Sequence, residues 1–343
     1  MSVTNPMALL YRRLSRVGLT RQFVRCTALP KWWDDEIADS PAGYAEGLLL
    51  LSRHLGLDLA TLQDESTSLA LRYFGPCKFK KTTGVTDDEL ALARAMATRA
   101  AQLAAAAMTT PLRPVPASAA EVRQHILDRG ESWVGLDALV DYCWSVGIPV
   151  LHLSQFPPRI KKMHGLAAKV SGRPAIILCR NQKYTAWLLF ILAHELGHLI
   201  KGHVADDGVL LDERVEEDNN LDAEETEANA FAVELLTGDA RCRFHAGGHW
   251  PNASNLAQEA RSIGRQSRID PGHIVLNYAH AMGKDFFAVA NATLNLLEPK
   301  ADAVGLIRGH MAARLDWSNL PEDSCEFLMR ITQIEQHHED LPR

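Results

Sequence analysis

A chain of 343 residues, 47% hydrophobic and 23% charged, is long enough for two or three domains and a sizeable core. Its net charge of −6 gives no general argument for nucleic-acid binding. No apolar run of about 18 residues lacks charges, so no membrane span is expected, and the N-terminus does not read as a signal peptide. Six scattered cysteines (Cys26, Cys77, Cys143, Cys179, Cys242, Cys325) include no Cys-x-x-Cys pair, which suits reduced thiols in a cytoplasm.

Residues 1–82 read as a helical module. Helices are expected over Ala8–Val17, Thr20–Cys26 and Tyr44–Leu55, closed by Leu57, Leu59 and Leu62. Arg12, Arg13, Arg16, Arg21 and Arg25 can face phosphates. The stretch Leu29–Glu36, however, holds Pro30 and three acids, a poor composition for a helix that reads bases. DNA binding by this module is therefore doubtful, and packing or protein contact is the plainer role. Residues 83–117 connect it to the next domain. A basic linker (76–86) leads to an alanine-rich helix over Asp87–Met108 capped by Thr86, and Pro111, Pro114 and Pro116 mark a boundary.

A third unit spans 118–238. Ser118 is an N-cap with Glu121 three residues on, and helices over 119–128 and 136–146 lead to a strand at Ile148–Leu153. Strands over Gly165–Val170 and Ala175–Cys179, joined through Ser171-Gly172, read as a hairpin. Gly165, Leu166, Ala167 and Ala168 are the candidate exposed edge, able to hold an extended peptide by main-chain pairing. Arg159, Lys161 and Lys162 before this strand read as a solvated loop.

From Thr185, a candidate cap, a helix runs to Ile200 that is apolar nearly all round, yet it carries His194, Glu195 and His198. Burying these groups is costly without compensation. Histidines four apart share one face within reach of one divalent ion, while Glu195 is turned about 100° round the helix, placed to hold a water. The helical run from Ala223 offers a third ligand. Glu225 and Asn229 are four apart, so a carboxylate can join the ion while the amide accepts the ring N–H of a ligand histidine. Glu224 and Glu227 flank Glu225; the relation to Asn229 selects it. Two histidines and one glutamate form the ligand set of open catalytic zinc centres, although manganese or iron is also compatible with such donors.

His194-Glu-Leu-Gly-His198 followed by Glu225-x-Glu227-Ala228-Asn229-x-Phe231-Ala232-x-x-Leu235-Leu236 resembles the ImmA/IrrE family of gluzincin-type metallopeptidases. Gly147-Ile-Pro-Val150 and Pro174-Ala-Ile-Ile-Leu178 extend the likeness over residues 118–238. The resemblance implies bound zinc held by His194, His198 and Glu225, with Glu195 as general base. It also implies a protein substrate of repressor or antitoxin type, cut in the cytoplasm after stress or during mobile-element transfer. Residues 1–75 resemble the helix-turn-helix module that often precedes such peptidases, in degenerate form.

The segment from Asp206 to Asp222 is dense in acid and reads as a solvated loop or a lid, and His203 reads as a surface histidine. Past Gly238, residues 239–343 read as helices over 253–265, 273–283, 285–297, 300–314 and 321–336, with Asp270 as a cap before Pro271. His245 and His249, in a Gly-rich loop, are candidates to stabilise an oxyanion. The fold expected is α+β and mostly helical, with a small antiparallel or mixed sheet packed on the metal helix and helical regions on both flanks. Besides a zinc endopeptidase, the pattern allows a regulatory, toxin–antitoxin-associated interaction protein with a structural metal, or a DNA-binding regulator.

Overall fold

Among the described residues five short strands make one mixed sheet in the order β1-β5-β3-β4-β2. They are β1 (Cys77–Lys80), β2 (Val150–His152), β3 (Gly165–Val170), β4 (Arg173–Leu178) and β5 (Val209–Asp212). The computed structural model describes residues 6–72, 77–80, 87–158, 163–212, 223–245 and 251–335. The remainder of the polypeptide is mostly helical, so the expected α+β class, helix-dominated around a small mixed sheet, is what the chain adopts.

β3 and β4 form the expected hairpin. Ser171 (φ 52°) and Gly172 (φ 74°) both lie in the left-handed region, the requirement of the tight turn whose twist matches its strands. The expected edge at Gly165–Ala168, however, is not an edge. Gly165 pairs with Leu178 on one side and with Asp212 on the other, and Ala168 with Ala175 and Val209. The reason lies in the acid-rich segment, which contains the apolar triplet Val209-Leu210-Leu211. That triplet folds as β5 and covers the side of β3 on which a peptide was expected to pair. Strands β1 and β2 bound the sheet instead, both joined in parallel.

Helices α5 (Asp87–Ala107) and α8 (Thr185–Ile200) both pack on β3 and β4. Together they leave Leu166, Ala167 and Ala168 with no exposed surface. In α5 the buried positions Ala93, Ala97, Ala100, Ala101 and Ala104 fall on one face, and their small size lets the helix approach the sheet closely. The expected cap Thr86 and most of the linker (81–86) lie outside the described residues, as do Arg159, Lys161 and Lys162. Helices α6 (Ala119–Leu127) and α7 (Leu136–Ser145) precede β2, and the Ser118 hydroxyl accepts from Glu121 N at 3.4 Å, as its position foretold.

The start of α8 differs from expectation. Thr185 is the first helical residue rather than the cap, and Tyr184 before it offers no side-chain bond. The end is held instead by Glu298, whose carboxylate accepts from Thr185 N (3.2 Å) and Thr185 Oγ1 (2.5 Å). A negative group there also suits the helix dipole.

The N-terminal module comprises α1 (Pro6–Arg16), α2 (Arg21–Phe23) continued by a π turn (Val24–Ala28), α3 (Pro41–Leu55) and α4 (Leu59–Gln63). Three of the five arginines expected to face phosphates are committed internally. Arg13 donates to the carbonyls of Leu62, Thr61, Asp64 and Thr67, while Arg21 and Arg25 both pair with Asp35. These three do not present a phosphate-binding row.

The C-terminal third divides. Helices α10 (Ala253–Ser267), α11 (Pro271–Met282) and α12 (Phe287–Leu297) share a separate apolar cluster around Ile274, Val275, Phe286 and Leu294, which α8 enters through Ala186. Helices α13 (Ala303–Arg314) and α14 (Glu322–Thr332) instead return to the main core with Ile307, Met311, Phe327 and Ile331. There α14 meets the N-terminal module: Arg330 donates to Leu29 O, Arg53 pairs with Asp323 at 2.6 Å, and Phe327 stacks on the buried His54.

Candidate metal centre

Helix α9 (Ala223–Thr237) crosses α8 at Gly197, where an added Cβ would stand 3.2 Å from both Ala228 O and Phe231. This close approach brings the third acidic candidate to the two histidines. His194 Nε2 lies 3.4 Å from one Glu225 oxygen, His198 Nε2 lies 3.3 Å from the other, and the two Nε2 atoms are 2.9 Å apart. All three side chains are buried, and their donor atoms lie within 4.8 Å of one another, so this group can hold a metal ion. Of the three neighbouring acids, Glu225 is the one that enters the cluster.

The outer bonds fix which ring atoms face inward. Asn229 Oδ1 stands 3.0 Å from His194 Nδ1, so this Nδ1 carries the proton and Nε2 presents a lone pair. His198 Nδ1 stands 2.8 Å from Nδ1 of His203, whose Nε2 lies 3.1 Å from Glu227 Oε2. A chain of N–H donors running outward from His198 to Glu227 leaves the second Nε2 lone pair facing the first. His203 is therefore not a surface residue; it is 7% exposed and backs a candidate ligand.

Spacing alone misplaced His203 because it ignores how α8 ends. Gly202 (φ 76°) closes the helix in the left-handed conformation, with His203 N bonded to His198 O (3.0 Å) and Gly202 N to Leu199 O (3.3 Å). This Schellman turn folds residue 203 back over the last turn of the helix. The sequence signal was the glycine in Lys201-Gly202-His203.

Glu195 is fully buried on the neighbouring face of α8. A Cβ placed on Gly165 would stand 2.2 Å from Glu195 Oε1, so the bare backbone of β3 forms the wall against which this carboxylate lies. The contribution of β3 to the site is thus a space-making glycine rather than an open pairing edge. His245 is exposed, in the segment after α9, and is not part of the cluster; His249 lies outside the described residues.

The donor set fits a divalent cation. Two lone pairs 2.9 Å apart and two carboxylates, Glu195 and Glu225, concentrate negative charge in a buried space, which is unfavourable without a positive centre. Three donors sharing one tetrahedral ion with bonds of about 2.0–2.2 Å would stand roughly 3.3–3.5 Å apart, close to the separations here. Among the described residues three protein donors meet in the cluster, which is the count of an open rather than a closed zinc site.

No model of a known protein family, no curated protein and no solved structure matches this chain. Among the described residues no helix is long and apolar enough to cross a membrane. The fold and site therefore define a mostly helical α+β protein with a buried two-histidine, one-glutamate group able to bind a metal.

Proposed function

We propose that this protein is a zinc-dependent endopeptidase of the ImmA/IrrE type, acting in the cytoplasm on a protein partner of repressor or antitoxin character. The observation that carries the reading is the buried carboxylate of Glu195, one residue from His194 on the helix that bears two of the three donors. A purely structural metal has no use for a second acid beside three donors. Bound zinc would supply Lewis acidity, lowering the pKa of water and polarising a carbonyl. His194, His198 and Glu225 would hold that ion; Asn229 and His203 orient the two imidazoles. Glu195 receives a proton from water as the scissile carbonyl is attacked and hands it to the leaving amine. Gly165 keeps the space in which that carboxylate sits.

The test uses purified protein loaded with zinc, metal content measured by mass spectrometry, and the proteins encoded by the adjoining reading frames as substrates. Wild type should cut one of them. Glu195→Gln should retain about one zinc per chain yet cut none, and cleavage that survives this substitution rejects the mechanism.

A further inference from the structure

One to two turns before His194 on α8, that helix and α11 enclose a pocket walled by Trp187, Phe190, Ile191 and Leu276, with Arg180, His273, Asn277 and His280 as its polar lining groups. His273 is the anomaly. It is 2% exposed, it stacks on Phe190 (ring centres 6.1 Å apart), and neither ring nitrogen has a hydrogen-bond partner among the described residues. An unsatisfied buried polar atom is costly, so a partner from outside the chain is expected there. Burial also pushes this imidazole down to about 4, with His280 and Arg123 adding to the effect. At neutral pH the ring is therefore uncharged and offers one N–H donor and one lone pair.

The pocket stands on the same helix face as the metal donors. Counting about 100° per residue from His194, Trp187 lies near 20°, Phe190 near −40°, Ile191 near 60° and His198 near 40°. Phe190 precedes His194 by four residues, about 6 Å along the axis, which two residues of extended peptide span at about 3.3 Å each. A peptide lying across the donors would bring a side chain within two residues of the scissile bond to this opening.

We infer that this pocket selects a hydroxyl-bearing side chain, threonine or serine, of the polypeptide substrate and that His273 is the group that reads the hydroxyl; this rests on the peptidase reading above. The cavity is small, about 30 Å³, which favours a short side chain over a bulky one. The walls take up the methyl of threonine, and a neutral imidazole both donates to and accepts from a hydroxyl. Arg180, whose guanidinium lies 4.5 Å over the Trp187 ring, repels lysine and arginine at the same position.

Two measurements test this. In the first, a proteome-derived peptide library is digested by the zinc-loaded protein and by the His273→Leu variant, and the cut sites are read by mass spectrometry. Threonine should be preferred over its isostere valine by about fivefold, the discrimination one hydrogen bond gives, and His273→Leu should erase or invert that preference while still cutting. The variant should fold, since the imidazole nitrogens have no bonds to lose and leucine fills an apolar wall.

In the second, ¹⁵N-histidine spectra of Glu195→Gln are followed while acetyl-Ala-Ala-Thr-Ala-Ala-amide or its valine counterpart is added. Only the threonine peptide should move the His273 ring nitrogens. A threonine-specific shift without any library cleavage above the Glu195→Gln level retires the peptidase reading and keeps the pocket. Cleavage with no threonine preference, a preference that survives His273→Leu, or equal shifts with both peptides overturns the pocket, leaving His273 as a host for water.

Discussion

His198 and His203 face each other through their Nδ1 atoms at 2.8 Å, although His203 belongs to the segment after the helix and not to the helix itself. The contact makes the imidazole of His203 the support for one donor, as Asn229 supports the other. His203→Ala should weaken zinc binding by about 10- to 100-fold, the usual effect of losing such a support. Chelator competition measures it, and an unchanged affinity would remove His203 from the site.

Gly165→Ala should displace Glu195 and leave the three donors in place. The new methyl would occupy the place of the Glu195 carboxylate, and a displacement of about 1 Å at a reacting group costs about 100-fold in rate. Zinc content should remain at the wild-type level, and overpacking should lower stability by about 1–3 kcal/mol. Parallel metal analysis and cleavage assays separate this outcome from loss of the ion.

Arg123 is 8% exposed and donates to four carbonyls, those of Leu235 and Leu236 at the end of α9 and of Ser267 and Arg268 at the end of α10. Removing it leaves helix ends of two layers without their donor. Arg123→Ala should reduce stability by about 2–4 kcal/mol in urea unfolding, with the segment over α10–α12 becoming the first target of limited proteolysis.

Burial holds His54 down to about 4, against an ordinary value near 6.5, despite its bond to Ala28 O. Its folded form therefore refuses a proton that the unfolded chain accepts. The stability it contributes is complete above about pH 6.5 and is lost as pH falls toward 4, by roughly 3 kcal/mol at the lower limit. Asp270 works in the opposite sense, since burial raises it to about 6 and the stability from its protonated form is lost as pH rises through that value. Thermal melts of wild type and His54→Gln between pH 7 and 4 share the Asp270 contribution. The variant should show the shallower acid decline, and parallel curves would exclude His54 as a source.

Much of the site could be read from local pattern. The apolar run into His194-Glu-Leu-Gly-His198, the Glu225–Asn229 spacing, the Ser118 cap and the Ser171-Gly172 turn each depend on neighbours in the chain. The misreadings share the opposite property. Thr185 looked like a cap because its own hydroxyl is the nearest candidate, whereas the carboxylate that serves it comes from Glu298, 113 residues on. β3 looked like an edge because its second partner, Val209–Asp212, lay hidden among acids whose charge outweighed three apolar residues in any local average. Phe327 and His54 meet across nearly the whole chain, a pairing no periodicity announces.

The grip of Glu298 on the first residue of α8 has a bearing on how small this protein can be made. Trimming it after Gly238, where the likeness ends, would strip the helix that carries two of the donors of its anchor and uncover Ala186. Minimal fragments chosen from the motif alone should come out of cells insoluble, and restoring residues 239–335, which carry Glu298 and the core-filling helices α13 and α14, should rescue them even though no donor atom of the cluster resides there.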